Sequence, residues 1–205
     1  MEKLEKIVVA TRNTAKKERF RRFLNKIAEE VLSLDDFDFA GKPNESGETA
    51  EENAKIKALF YAKNLSIPVF SEDESLFVDF LPENQQPGTH VRRVNGKELN
   101  DKELLAYWAS ITTNVPKDKM TGRWHIAYCF ATPQLKTVLT SIDHPIIFFH
   151  TSSDMVPSGW PMNSIQGPAK FGKPESELTP EELKRHGQEA EIILTQRLRE
   201  LFRIY

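Results

Sequence analysis

The sequence predicts an α/β protein with a mixed central sheet and flanking helices, and three observations carry that prediction. Lys6-Ile7-Val8-Val9-Ala10 is β-branched and nearly all apolar, the pattern of a strand covered on both faces, and a helix-periodic segment follows it at once. Residues 49–70 read as a capped helix leading into a short buried strand. Residues 123–142 cluster apolar and β-branched side chains around Pro133-Gln134, as an antiparallel hairpin does.

The loop after the first strand, Thr11 to Lys16, enters a helix over residues 17–26, where Phe20, Phe23, Leu24 and Ile27 recur at helical spacing. Such a turn aims backbone N–H groups and the positive helix end above the sheet, where phosphate is a common guest. Asn13 either caps the helix or donates to a ligand, and Lys16 adds a point charge. The loop has no glycine, so a capped amphipathic helix with a solvated basic face accounts for it equally well. Val31, Leu32, Leu34, Phe37 and Phe39 make a broken strand pattern within residues 29–39, and Gly41, Pro43 and Asn44 turn the chain.

Residues 45–81 are the stretch around which the chain is organised. Thr49 and Glu52 form a capping-box pattern that starts a helix at about Ala50. Ala54, Ala58, Phe60, Ala62 and Leu65 give that helix a mostly small apolar face, suited to lying close on a sheet. Ile67 to Phe70 reads as a short strand ending in Ser71-Glu72-Asp73-Glu74-Ser75, with another strand over residues 76–81. Adjacent carboxylates beyond a strand end repel one another unless a cation compensates. Mg²⁺, held by one or two carboxylates plus phosphates and water, fits Glu45 with Glu72 or Asp73. A solvated acidic loop is the alternative, and the position at a strand's carboxyl end favours the site.

Further on, Arg92 and Arg93 are candidates to reach a phosphate. Residues 100–112 place Leu104, Leu105, Trp108 and Ile111 on one side of a helix. The hairpin of residues 123–132 and 135–142, continued in extended form over 145–151, suggests an antiparallel platform in a second lobe spanning about 85–150. His125, His144 and His150 lack metal-ligand spacing, and packing or surface roles are expected of them. Residues 152–174 read as a loop rich in Ser, Pro, Gly and Asn, with Trp160 and Phe171 standing out. Thr179-Pro180-Glu181-Glu182 starts the last helix, and Ala190, Ile193, Leu194, Leu198 and Leu201 carry its apolar face. Lys184-Arg185-His186 near its start is a basic cluster compatible with phosphate.

At 205 residues with a net charge of −2, the chain has no general electrostatic drive toward duplex nucleic acid or an anionic membrane. Cys129 stands alone in an apolar run, so a buried structural role is expected of it. The apolar part of MEKLEKIVVA is too short for a signal peptide and no run reaches membrane-spanning length, which leads us to expect a cytoplasmic protein.

In order along the chain, these motifs resemble those of the inosine/xanthosine triphosphate pyrophosphatase family, which removes noncanonical purine nucleotides. IVVATRNTAKKERFRRFL is similar to its strand, T-x-N-x-x-K loop and helix. ESGETAEENAKIKALFYAK is similar to its E-T-G-x-T-F-x-E-N-A-x-x-K-A segment, and PVFSEDESLFVDFL to its A-D-D-S-G-L strand end. PGTHVRR stands where the family has P-G-x-x-S-A-R, and SELTPEE with RHGQEA where it has A-E-L-T-x-E-E-K and S-H-R-G. The resemblance implies two lobes about a long sheet with a cleft between them, homodimerisation, and Mg²⁺-dependent hydrolysis of a nucleoside triphosphate to monophosphate and pyrophosphate. It implies triphosphate contacts from Thr11, Asn13, Lys16 and Lys57, with Arg93, Lys184, Arg185 and His186 as further substrate contacts. It makes Glu45, Glu72 and Asp73 metal ligands, and Asp73, with Glu72, the pair that acts on the attacking water. This chain departs by placing Glu74-Ser75 where the family has Ser-Gly, and by lacking a close counterpart of the F-G-Y-D-P segment that stacks on the purine. A homologue that binds nucleotide without catalysis is the alternative that those departures raise.

Overall fold

A computed structural model describes residues 3–202, without the side chains of residues 14, 15, 189, 190 and 197–202. The chain opens with β1 (Leu4–Val9), α1 (Thr14–Leu24) and β2 (Ala28–Ser33), and β1 pairs in parallel with β2. It continues through α2 (Ala50–Leu65) into β3 (Val69–Val78), which pairs in parallel with β1 on its other side. Parallel neighbours need a crossover, and the two helices supply it. Flanked on both edges, β1 buries Ile7 and Val8 completely, as its unbroken apolar run predicts.

α2 opens on the expected capping box, with the Thr49 hydroxyl accepting from Glu52 N (3.2 Å) and the Glu52 carboxylate accepting from Thr49 N (3.3 Å). Ala54, Ala58 and Ala62 are fully buried in one cluster with Val69, Ala127, Cys129 and Ala131. Small residues on both sides bring helix and sheet close enough for the Ser71 hydroxyl to donate to the Ala54 carbonyl at 2.6 Å.

β3 corrects the sequence reading. In place of a strand ending at Phe70 and another beginning at Leu76, one ten-residue strand runs through Ser71-Glu72-Asp73-Glu74-Ser75. Polar residues stay extended here because alternate side chains leave on opposite faces. Phe70 turns toward α1, where its ring packs on Phe20 (5.1 Å) and Phe23 (5.5 Å). Val69 and Ser71 turn toward α2.

The described chain divides into two units. One takes the chain through Asp73, Ile126–Ile142 and the segment from Glu191; the other takes Glu74–His125 and Asp143–Ala190, in place of a lobe over 85–150. Within the second unit β4 (Arg93–Val94) and β5 (Lys97–Glu98) form a small hairpin. Asn95 and Gly96 make its turn with positive φ of 49° and 78°, the conformation for which the Asn-Gly pair is suited. α3 (Asp101–Thr112), capped by Asn100, buries Trp108, which stacks on Phe148 at 5.1 Å beside Leu76, Leu104, Met120 and Ile165.

The predicted hairpin is β6 (Thr121–Ala131) with β7 (Thr137–Phe148), and residues 145–148 continue β7 in extended form, as expected. β8 (Gln166–Pro168), inside the stretch read as a loop, pairs antiparallel with β7. Six strands bond in the order β2-β1-β3-β6-β7-β8, so β6 and β7 are interior strands of the mixed sheet and not a separate platform. α4 (Pro180–Phe202) begins where Thr179 and Glu182 cap each other (2.8 and 3.3 Å). Of its expected apolar face Leu194 is buried and Ile193 is half exposed, while Ala190, Leu198 and Leu201 lie outside the described side chains. Among the described residues no helix is long and apolar enough to cross a membrane.

Candidate active site

The pleat of β3 separates its neighbouring acids. Glu72, two residues beyond Phe70, turns toward α1; Asp73, two beyond Ser71, turns toward α2. Each meets cations on its own side.

On the α1 side, the Glu72 carboxylate has Lys16 Nζ at 2.8 Å from one oxygen and the Arg19 guanidinium on the other. Lys16 and Arg19 stand three residues apart on one helix face, so a single carboxylate spans both. Burial pushes the Glu72 carboxyl up, but Lys16 and Arg19 outweigh it and hold the group below the usual glutamate range. Arg19, which also lies over the Phe20 ring at 4.7 Å, is a member of the site that the motif reading missed. Its position one helical turn after Lys16 was the available signal.

On the α2 side, three oxygens surround one ammonium. Glu45 Oε2, Asp73 Oδ1 and the backbone carbonyl oxygen of Glu72 each lie 3.1 Å from Lys57 Nζ. Burial pushes the Lys57 pKa down, but the Asp73 and Glu45 carboxylates outweigh it and hold the ammonium above its usual value. At Asp73 burial outweighs the attraction of Lys57, so this carboxyl is raised above the usual aspartate range.

Glu45 is positioned by a loop tied to the start of α2. Gly47 N donates to Asn53 Oδ1 (2.8 Å), Asn53 Nδ2 donates to the Gly47 carbonyl (3.3 Å), and Glu48 N donates to the Glu52 carboxylate (2.7 Å). A methyl group on Gly47 would meet Glu52 Cβ at 2.6 Å and Asn53 N at 3.0 Å. Gly47→Ala is therefore expected to loosen the loop and to destabilise the protein by about 1–3 kcal/mol, the range for overpacking. Thermal unfolding beside wild type checks this, and an unchanged melting temperature counts against the anchoring role.

At the N-terminal loop Thr11 Oγ1 accepts from Asn13 N and Asn13 Oδ1 accepts from Lys16 N, both at 3.1 Å, so Asn13 takes the capping role. Arg12 donates to the Phe39 carbonyl (2.9 Å) and to Asp35 (3.3 Å), tying this loop to the segment after β2.

Thr11, Asn13, Lys16, Glu45, Lys57, Glu72 and Asp73 thus all lie in the first unit. The three expected metal ligands do not converge as a trio: Glu45 and Asp73 meet at Lys57, while the Glu72 side chain leaves on the other face with only its carbonyl at that point. Among the described residues no three His, Cys, Asp or Glu side chains gather for a metal. Arg93, Lys184, Arg185 and His186 belong to the second unit. Arg93 Nε lies 3.9 Å from Glu98, and Lys184 is exposed. Arg185 lies over the Phe171 ring at 5.1 Å, with His186 edge-on to the same ring at 6.3 Å.

The histidines take structural partners, His125 with Asp143 at 2.6 Å, His150 with the Val115 carbonyl at 3.0 Å, and His144 edge-on to His186. Burial raises the Cys129 thiol to about 12, which suits packing and not nucleophilic attack.

Residues 7–150 match the Ham1 family. The chain is 30% identical over 190 residues to a dITP/XTP pyrophosphatase of Geobacillus kaustophilus, covering 93% of this chain and 91% of that one. Its fold is similar to that of a nucleoside-triphosphatase, a dITP/XTP pyrophosphatase, from Mycobacterium abscessus, with a TM-score of 0.71 and 26% identity over 92% of this chain and 98% of that one. A HAM1 protein from Coxiella burnetii shares the fold at a TM-score of 0.78 and 21% identity, covering 96% of this chain and all of the other. With most of its length inside the family profile and that relative aligned nearly end to end, the chain belongs to the Ham1 family, the inosine/xanthosine triphosphate pyrophosphatases its motifs resemble.

Proposed function

We propose that the protein is a hydrolase of acid anhydrides that cleaves a noncanonical purine nucleoside triphosphate to the monophosphate and pyrophosphate with Mg²⁺. The observation that carries this reading is the pairing of three cations with three acids on the two faces of β3, Lys16 and Arg19 with Glu72 on one and Lys57 with Glu45 and Asp73 on the other. The activity by which its relatives are named, dITP/XTP pyrophosphatase, supplies the substrate class. Two carboxylates and a carbonyl already gathered about one positive charge fit a hard divalent ion, which is commonly held by one or two carboxylates together with phosphate oxygens. Glu45 and Asp73 would hold it, and when bound it neutralises charge on the phosphates.

The chain's own groups divide the remaining work. Thr11, Lys16 and Lys57 hold the triphosphate and place positive charge where the leaving pyrophosphate develops its negative charge. Glu72 holds Lys16 and Arg19 together at the start of α1. Asp73 accepts a proton from water, the water oxygen bonds to the α-phosphorus, and the bond from that phosphorus to the bridging oxygen breaks. Arg93, Lys184, Arg185 and His186 remain further substrate contacts in this reading. The protein acts as a homodimer, as the family resemblance implies, and in the cytoplasm, as the short apolar N-terminal segment leads us to expect.

The test is a panel of nucleoside triphosphates, dITP, XTP and ITP beside ATP, dGTP and dTTP, incubated with Mg²⁺ and assayed for pyrophosphate and orthophosphate separately. Pyrophosphate from the deaminated purines is the expected result. Turnover of none, with a melting temperature raised by nucleotide, points instead to a binding homologue without catalysis. Orthophosphate as the product overturns the reaction class.

A further inference from the structure

The oxygens to which the proposed reading assigns the divalent ion surround a cation of the chain itself. The oxygens about Lys57 Nζ come from a loop side chain (Glu45), a strand side chain (Asp73) and the strand backbone (Glu72), all at 3.1 Å. This is an oxygen cage for a cation, filled from within by an ammonium whose side chain is 14% exposed. Lys57 is the ion-pair partner that Glu45 and Asp73 share, and a metal ion taking the same oxygens must displace it.

We propose that Lys57 is a resident counter-ion that excludes divalent metal from the nucleotide-free protein, so that metal and triphosphate bind cooperatively. This rests on the reading that Glu45 and Asp73 hold the metal. The ammonium sits at the end of a flexible four-carbon stem and makes no bidentate contact, so it can exchange carboxylate for phosphate oxygens. A triphosphate draws it away and opens the cage. By linkage, each ligand then raises the affinity for the other by the same factor. Lys16 does not share this role, because its carboxylate partner Glu72 lies on the opposite face of β3 and is also held by Arg19.

Calorimetric titration of Mn²⁺ into nucleotide-free protein tests the proposal without any turnover. Lys57→Met is expected to bind Mn²⁺ at least about 10-fold more tightly than wild type, a difference of about 1.4 kcal/mol. Adding Glu45→Gln to that variant is expected to abolish the gain. Lys57→Arg, which keeps the charge, is expected to behave as wild type. Melting curves give a second readout, with Mn²⁺ raising the melting temperature of Lys57→Met and leaving wild type unchanged. Should Lys57→Met fail to fold without metal, Lys57→Gln takes its place with the same expectations. Equal Mn²⁺ affinity in wild type and the uncharged variants overturns the proposal. Since no nucleotide is present, that failure leaves the pyrophosphatase reading to be judged by the nucleotide panel alone.

Discussion

Asp73→Asn lowers kcat for pyrophosphate release by about 10²–10⁴-fold while the protein keeps its fold, the range expected when a positioned general base is lost. The substitution preserves shape and leaves an amide oxygen for Lys57, but removes the charge that accepts a proton and half of the carboxylate pair about Lys57. The loss on the Lys57 side, where Asp73 helps to hold the ammonium above its usual value, is offset in part on the Asp73 side, and Glu45 still pairs with Lys57. Burial already raises the Asp73 carboxyl above the usual aspartate range, so its ionisation is disfavoured by folding and the neutral amide does not carry that burden. The base works only when ionised, so activity is expected to fall on the acid side as Asp73 takes up a proton. Steady-state rates on the best nucleotide of the panel, with melting curves for both proteins, check the expectation. A variant retaining a third or more of the wild-type kcat removes Asp73 from the mechanism.

Glu72→Gln destabilises the protein by about 2–4 kcal/mol, less than the ~3–5 kcal/mol typical of breaking a fully buried pair, because Arg19 keeps substantial solvent contact. For a chain of this length that corresponds to a melting temperature lower by about 5–15 °C at neutral pH. The amide cannot compensate Lys16, whose side chain is 17% exposed, and Arg19 together. Burial acting alone would raise the Glu72 carboxyl, yet the two cations hold it below its usual value. Its stabilising contribution is therefore complete above the unfolded glutamate pKa of about 4.3 and is lost as pH falls through the lower folded value. The gap between wild type and Glu72→Gln is expected to close on acidification. A gap absent at pH 7, or independent of pH, means the cluster contributes no net stability.

Both expectations depend on a feature the sequence disguised. Ser71-Glu72-Asp73-Glu74-Ser75 has the composition of a solvated loop, and by composition it ends a strand. It forms the middle of β3, where Glu72 finds Lys16 and Arg19 on α1 and Asp73 finds Lys57 on α2. Repulsion between neighbouring carboxylates, the premise for placing Mg²⁺ on Glu45 with Glu72 or Asp73, is relieved by the pleat before any metal is needed. β8 was hidden for a different reason, since Gln166-Gly167-Pro168 has no β-branched residue and is a strand by virtue of its pairing with β7.

Elements whose causes are local are legible in residue order alone. The capping box at Thr49, the cap at Thr179, the alanine face of α2 and the apolar run of β1 act within a few residues of chain, and each appears where it was expected. The tertiary structure alone decided which carboxylate meets which cation, because that depends on which face of β3 each side chain leaves from and which helix covers that face. Residue order lists the charges of the site; the sheet, with one helix on either side, sorts them into pairs.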